Sequence, residues 1–285
     1  MAVLLLATSA CGGAPAAQNP PAARNTAPLY DLLPDKQKRA GKIMVGSDIS
    51  YAPMEYYDTD GTTVLGFDKE LGDALGRRLG VPFEFGNASF DGLVTALKSG
   101  RIDLVMSGMS DTKERQQRVD FVDYYTAGAM LLVRKGNPDN LRSLADLCGR
   151  TVAVQRATTQ ESYARNQSES CVRQGGQKIE ILSFDRETEA LLQVKQGRAA
   201  AGLEDYPVAT YNARTSGGGN DFEVAGEQIN AGPLGIAVAK DNTALRNAVQ
   251  RALQEVMASG EYTKLIDKWG IPAGALTSAT VNAGT

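Results

Sequence analysis

Apolar and polar positions alternate along the chain in blocks that predict strands and helices in turn. In the first predicted helix Phe67, Leu71 and Leu75 share one face, and Gly80 marks the end. The predicted strands are residues 42–48, 83–85, 101–108, 131–136, 149–156, 177–184, 199–205 and 232–241, and predicted helices begin near residues 67, 90, 159, 186 and 243. This order predicts an α/β fold of two units, each a mostly parallel sheet flanked by helices, with a junction near residues 126–130.

Both ends of the chain lack this pattern. Residues 12–40 begin with a stretch rich in Ala, Pro, Gly and Asn, which is typical of a flexible tether. Residues 271–285 are predicted to be a frayed C-terminal tail. Residues 1–11, "MAVLLLATSAC", carry an apolar run that is too short to span a bilayer and is typical of the end of a secretory signal.

The small residues directly before Cys11 resemble the lipobox of bacterial lipoproteins. In such proteins the cysteine is lipidated and becomes the mature N-terminus. The resemblance implies an extracytoplasmic protein anchored to the cell membrane by lipid. A cleaved signal without lipid and a free structural cysteine are the alternatives.

Composition narrows the possible chemistry. The 30 basic and 33 acidic residues leave a net charge of −3, so nucleic acid is not an expected partner. The chain has no histidine, which excludes Ser-His-Asp and Cys-His catalysis and removes the commonest metal ligand. Cys11, Cys148 and Cys171 are too scattered for a zinc site. We therefore expect neither a metal nor a cofactor.

Polar residues follow the strand predicted over 101–108 and suggest an anion site. Ser107 and Ser110 stand where ligands of open α/β sheets bind, and Asp111 with Glu114 resembles a helix-capping box. Free N–H groups at that helix start and the fork of Arg115 suit a carboxylate. The alternative is an ordinary surface helix whose arginine pairs with a neighbouring acid.

Other predicted strand ends carry further candidates. Asp48 is followed by Tyr51, which suits a ligand with an aliphatic or flat side chain and a polar tip. Thr158 and Thr159 lie at a strand–helix turn, and Asp205 ends another strand, where it could accept an ammonium group. The alternatives are core packing of the aromatic ring and helix capping by the aspartate.

Three segments together resemble the extracytoplasmic amino-acid-binding proteins of bacterial ABC importers. They are "YAPMEYYDTDGTTVLGFDKELGDAL", "FDGLVTALKSGRIDLVMSGMSDTKERQQRVDFVDYY" and "GRTVAVQRATTQES", and the resemblance extends over residues 41–270. It implies a two-lobed type II periplasmic-binding-protein fold with the ligand between the lobes. Lobe one would be residues 41–128 plus 232–270, and lobe two residues 129–231.

The same resemblance implies roles for individual residues. Arg115 would clamp the ligand α-carboxylate, and Asp205 would accept the α-ammonium group. Tyr51 and Phe90 would enclose the side chain, and Asp48 would contact a basic or amide tip. The other implied ligand-binding residues are Ser107, Gly108, Ser110, Thr158 and Thr159. Arg156 departs from the family pattern, and if it turned inward it would favour an acidic ligand.

The implied function is delivery of a free amino acid to the permease of an ABC importer. Arginine, lysine, ornithine or glutamine is expected ahead of glutamate or aspartate, and the protein is expected to be a monomer. A sensor module for a membrane kinase would use the same closed lobes. A dehydratase-like enzyme is less favoured, with Glu55 and Glu204 as its extra acid or base candidates. In an oxidising compartment, Cys148 and Cys171 are predicted to form a disulfide, the alternative being two buried thiols.

Overall fold

A computed structural model describes residues 26–285. The strands are β1 (Ile43–Ser47), β2 (Ser50–Tyr51), β3 (Glu55–Tyr57), β4 (Val64–Leu65), β5 (Phe83–Asn87), β6 (Leu104–Val105), β7 (Val119–Arg134), β8 (Thr151–Gln155), β9 (Glu180–Phe184), β10 (Ala201–Asp205), β11 (Phe222–Ala239) and β12 (Ala275–Val281). The helices are α1 (Asp35–Ala40), α2 (Phe67–Leu79), α3 (Leu93–Lys98), α4 (Lys113–Gln116), α5 (Thr159–Arg173), α6 (Glu187–Lys195), α7 (Tyr206–Thr215), α8 (Thr243–Ala258) and α9 (Glu261–Trp269). Short 3-10 helices cover Tyr30–Leu32, Phe90–Gly92, Leu144–Leu147, Ser216–Gly219 and Pro272–Gly274.

The main sheet consists of two sets of parallel strands joined by two long antiparallel strands. Its order is β5-β1-β6-β11-β7-β10-β8-β9, and β12 pairs separately with β7. Strands β5, β1 and β6 are parallel and form the first half of the fold; β10, β8 and β9 are parallel and form the second half. The predicted α/β class, with mostly parallel sheets and flanking helices, is confirmed.

Strands β7 and β11 run from one half of the fold to the other. In β7, Asp123 pairs with β11 residues on the side of the first half, whereas Leu132 pairs with Val224 on the side of the second. The sequence predicted only residues 131–136 as a strand here. Buried Asp120 and Asp123 obscured the earlier part of β7, because their carboxylates are satisfied by partners far along the chain, including Arg246 and Thr280.

Each half has its own apolar core. In the first half Leu75 of α2 packs with Val249 of α8, and both side chains are fully buried. In the second half Val154 and Leu203 pack with α5. These are the faces that the helical and strand periods predict. The exact lobe boundaries remain a prediction.

The predicted disulfide is present in the second half. Cys148 and Cys171 are joined, with their Cα atoms 5.6 Å apart and a sequence separation of 23. Cys171 lies in α5 and is almost fully buried, so the bridge ties the end of this helix to the segment before β8.

The described end of the range predicted as a tether, 12–40, is folded rather than flexible. Leu29 and Leu33 are buried against the core of the first half, and α1 follows them. Gln37 donates to Asp103 Oδ1 across 2.9 Å, which fixes α1 to the start of β6. Local composition did not reveal this docking, because the partners of the segment lie far along the chain. The predicted signal and lipidation site at Cys11 lie outside the described residues.

The C-terminal tail, predicted to fray, is instead paired. Strand β12 runs antiparallel to β7, and Ala279 is buried. The backbone N–H of Ala283 donates to Asp123 at 3.1 Å, and that of Gly284 donates to Asp111 at 2.8 Å. Buried carboxylates elsewhere in the chain hold this end, which is why local composition did not reveal it. Within residues 26–285 no helix combines the length and apolar character needed to cross a membrane.

Candidate functional site

The strand ends of the two halves face each other across a narrow cavity with about 10 Å³ of water-accessible space. All ten residues predicted to bind the ligand line it: Asp48, Tyr51, Phe90, Ser107, Gly108, Ser110, Arg115, Thr158, Thr159 and Asp205. The lining also includes Gln155 and Gln160, which sequence reasoning missed, and Glu55, which it considered only as an enzyme candidate. Both glutamines lie within a few positions of Thr158 and Thr159 in the sequence, and this closeness could have identified them as lining residues.

Arg115 lies at one wall of this cavity, with its guanidinium over the Phe90 ring at 5.4 Å from the centroid. Its Nη1 donates to the Ser110 carbonyl at 2.9 Å, and its Nη2 donates to the Ala157 carbonyl at 3.0 Å. The second bond crosses from the first half to the second. Both of these partners are neutral carbonyls, so the charge of Arg115 is available to an anionic ligand.

The helix that carries Arg115 differs from the predicted one. Helix α4 has four residues, and its N-cap is Thr112, whose hydroxyl accepts from the Arg115 N–H at 3.2 Å. Asp111, predicted to cap it, is buried and binds the C-terminal segment instead. The arginine side chain, rather than a long helix dipole, is therefore the main positive feature of this wall.

Asp205 supplies the opposite charge from the second half. Its Oδ2 accepts from the Tyr51 hydroxyl at 2.9 Å, and its Oδ1 accepts from Gln160 Nε2 at 2.9 Å. Burial raises the pKa of Asp205 to about 7, while the Tyr51 hydrogen bond and the positive charge of Arg115 act in the opposite direction. A cation beside this carboxylate would favour its ionised form.

The remaining predicted polar residues are close to these two charges. Thr158 is the N-cap of α5, where its hydroxyl accepts from the Glu161 N–H at 3.1 Å. The hydroxyls of Ser110 and Thr159 lie 3.3 Å apart across the cleft. Gly108 has a φ of +50°, and a Cβ there would meet the Tyr51 ring at 3.1 Å, so the tyrosine packs directly against backbone.

A buried pair of acids lies under the first half of the cavity. Glu55 Oε1 accepts from the Ser107 hydroxyl at 2.8 Å, and that hydroxyl accepts from the Asp48 N–H at 2.9 Å. Burial and the nearby charge of Asp68 raise the pKa of Glu55 well above its usual range, and burial raises that of Asp68 to about 6. Burial therefore favours the protonated form of Glu55.

Asp48 is buried at the end of β1, and donors from the second half reach it. Gln155 Nε2 donates to its Oδ2 at 2.7 Å, and Arg186 forms an ion pair with its Oδ1. The inward position considered for Arg156 is not adopted, because this arginine pairs with exposed Asp185 and is absent from the cavity lining. The arginine beside Asp48 is thus Arg186, which carried no motif signal.

The family follows from a match over most of the chain. The sequence model of the bacterial extracellular solute-binding proteins, family 3, matches residues 43–272. The chain belongs to this family. The matched range contains every residue of the cavity lining and both long strands.

Individual relatives of this family 3 protein are amino-acid-binding proteins. The arginine-binding protein ArgT of Corynebacterium glutamicum is 30% identical over 89% of this chain and 82% of its own. The arginine-binding extracellular protein ArtP of Bacillus subtilis is 34% identical over 80% of this chain and 86% of its own. Among solved structures, the chain is similar to the crystal structure of the ancestral amino acid-binding protein AncCDT-1, a precursor of cyclohexadienyl dehydratase. The two sequences are 37% identical, the match covers 82% of this chain and 98% of the other, and the TM-score is 0.74.

Proposed function

We propose that this protein binds a free amino acid in its cavity and delivers it to the permease of an ABC importer. The observation that carries the proposal is the placement of Arg115 and Asp205, which face the same cavity from opposite halves of the fold. An amino acid zwitterion offers an α-carboxylate to the first and an α-ammonium group to the second. Closing the cleft around both charges removes water and strengthens both contacts.

Lobe closure follows from this arrangement. The proposed lobes are residues 41–128 plus 232–270 and residues 129–231, joined by strands β7 and β11. A ligand that bridges Arg115 and Asp205 binds the closed form better than the open form, and this difference in affinity drives closure. The closed form is then the species that a permease would recognise.

The side-chain preference is for a cationic or amide ligand. Once Arg115 and Asp205 are engaged by the zwitterion, the ionisable groups left in the lining are acidic or phenolic, including Asp48 and Glu55. The rings of Tyr51 and Phe90 offer walls for a methylene stem or a flat guanidinium. Glutamate would bring a like charge to the acids and is disfavoured. Arginine-binding relatives support the same preference.

Anchoring outside the cytoplasm completes the proposal. The family is one of extracellular solute-binding proteins, and the lipobox-like residues before Cys11 support attachment of this chain to the membrane by lipid. The ligand-binding part would then be a monomer tethered beside its permease.

Calorimetry with the twenty common amino acids and ornithine tests the ligand class. We expect saturable binding of arginine, lysine, ornithine or glutamine, with glutamate and aspartate much weaker. Asp48→Asn should weaken arginine more than glutamine, because it removes a negative charge that only the cation uses. Absence of amino acid binding would refute the function, and strongest binding of glutamate that survives Asp48→Asn would refute the side-chain preference.

A further inference from the structure

Asp48, the residue expected to receive a cationic ligand tip, already has a cation of the protein beside it. Its side chain is 2% exposed, and its Oδ1 accepts from both the Ser50 hydroxyl at 2.8 Å and Arg186 Nη1. Its Oδ2 accepts from Gln155. Both carboxylate oxygens therefore accept hydrogen bonds from groups of the protein.

Arg186 reaches Asp48 from the opposite side of the cleft. It is the N-cap residue of α6 in the second half, and its Nη1 also donates to Asn87 Oδ1 at 2.9 Å. Asn87 ends β5 and Asp48 follows β1, so one guanidinium bridges to two neighbouring strand ends of the first half. The residue is not itself part of the cavity lining, but it acts on the lining through Asp48.

The charge of Arg186 changes what Asp48 offers to a ligand. A buried carboxylate without a partner strongly favours a ligand cation, whereas one paired with an internal cation is close to neutral and accepts an uncharged amide at little cost. We infer that Arg186 is a specificity-determining residue that competes with the ligand's own cation for Asp48 and so reduces the preference of this site for cationic over neutral side chains. The inference rests on the proposed function and deepens it.

Arginine and citrulline separate this role from a general structural one, because the two ligands have nearly the same shape and differ in charge. Calorimetry gives the ratio of the arginine to the citrulline affinity for each protein. In Arg186→Gln this ratio should rise at least about tenfold, because the partly buried pair of Arg186 with Asp48 is replaced by a pair that Asp48 forms with the ligand cation. Arg186→Lys keeps the charge and should retain a ratio near that of the wild type.

Two further variants locate the effect. Arg156→Gln removes an arginine of the same half that pairs with exposed Asp185 and does not touch Asp48, so its ratio should stay within about twofold of the wild type. The double variant Arg186→Gln with Asp48→Asn should show no increase in the ratio of arginine to citrulline affinity, because the carboxylate that would bind the ligand cation is gone. Thermal unfolding of each ligand-free variant checks that it is folded.

The outcomes separate the two proposals. A wild type that binds neither arginine nor citrulline refutes this inference, whereas the proposed function fails only if none of the amino acids tested by calorimetry binds. A wild type that binds, with an unchanged ratio in folded Arg186→Gln, refutes the inference alone. An increase that persists after Asp48→Asn also refutes it, because the effect then does not pass through Asp48.

Discussion

Acidification should weaken ligand binding through Asp205. Burial raises the pKa of this carboxyl group to about 7, so near neutrality it is only partly ionised. An α-ammonium group is bound by the carboxylate and not by the carboxylic acid. Binding must therefore release the proton, and the affinity is highest above pH 7 and falls as the pH drops through that value.

The size of the effect follows from the pKa. Each pH unit below 7 costs roughly a factor of ten in affinity, or about 1.4 kcal/mol, until the pKa of the ligand-bound state is reached. From pH 7.5 to pH 5 the affinity for arginine should fall by roughly a hundredfold at most from this one group.

Calorimetry at several pH values, repeated in two buffers of different ionisation enthalpy, measures both the affinity and the number of protons released. Asp205→Asn should bind arginine more weakly at pH 7.5 and lose most of the pH dependence. Asp58→Asn, which changes an exposed acid in the turn between β3 and β4, is the matched control and should behave as the wild type. An affinity that stays constant between pH 7.5 and pH 5 would contradict the role of Asp205.

Three other predictions concern the carboxylate clamp, the disulfide and the anchor. Arg115→Ala should lose about 2–5 kcal/mol of binding free energy, or at least thirtyfold in affinity by calorimetry, because the α-carboxylate is left in a closed cleft without its cation. Arg101→Ala, which changes an exposed arginine, should leave the affinity unchanged, and unaltered affinity in Arg115→Ala would overturn the central assignment. Reduction of the Cys148–Cys171 bridge should lower the free energy of unfolding by roughly 3 kcal/mol in denaturant titrations, since the closed loop restrains the unfolded chain. Free thiols at Cys148 and Cys171 in the unreduced protein would contradict the bridge. Cys11→Ala should release the protein from the membrane fraction without altering ligand affinity, and retention in that fraction would refute lipid anchoring.

Local patterns in the sequence predicted much of the fold and many of the candidate residues. The apolar periods of α2 and α8 and the apolar runs of β1, β8 and β10 are properties of neighbouring residues, so they can be read without the fold. Asp48, Ser107, Thr158 and Asp205 could be singled out because parallel strand ends converge at one edge of a sheet. The pairing of Cys148 with Cys171 followed from their positions in a chain that the sequence predicts to be exported.

Only the tertiary structure decided which distant groups neutralise each other. Arg186 meets Asp48 across 138 positions of sequence, and no local motif marks that contact. The same reason explains β12, whose partners are β7 and the buried acids Asp111 and Asp123, and it explains why Arg156 faces solvent. Whether a carboxylate is charged depends on burial and on neighbours brought together by folding, and these are fixed by long-range packing rather than by adjacent residues.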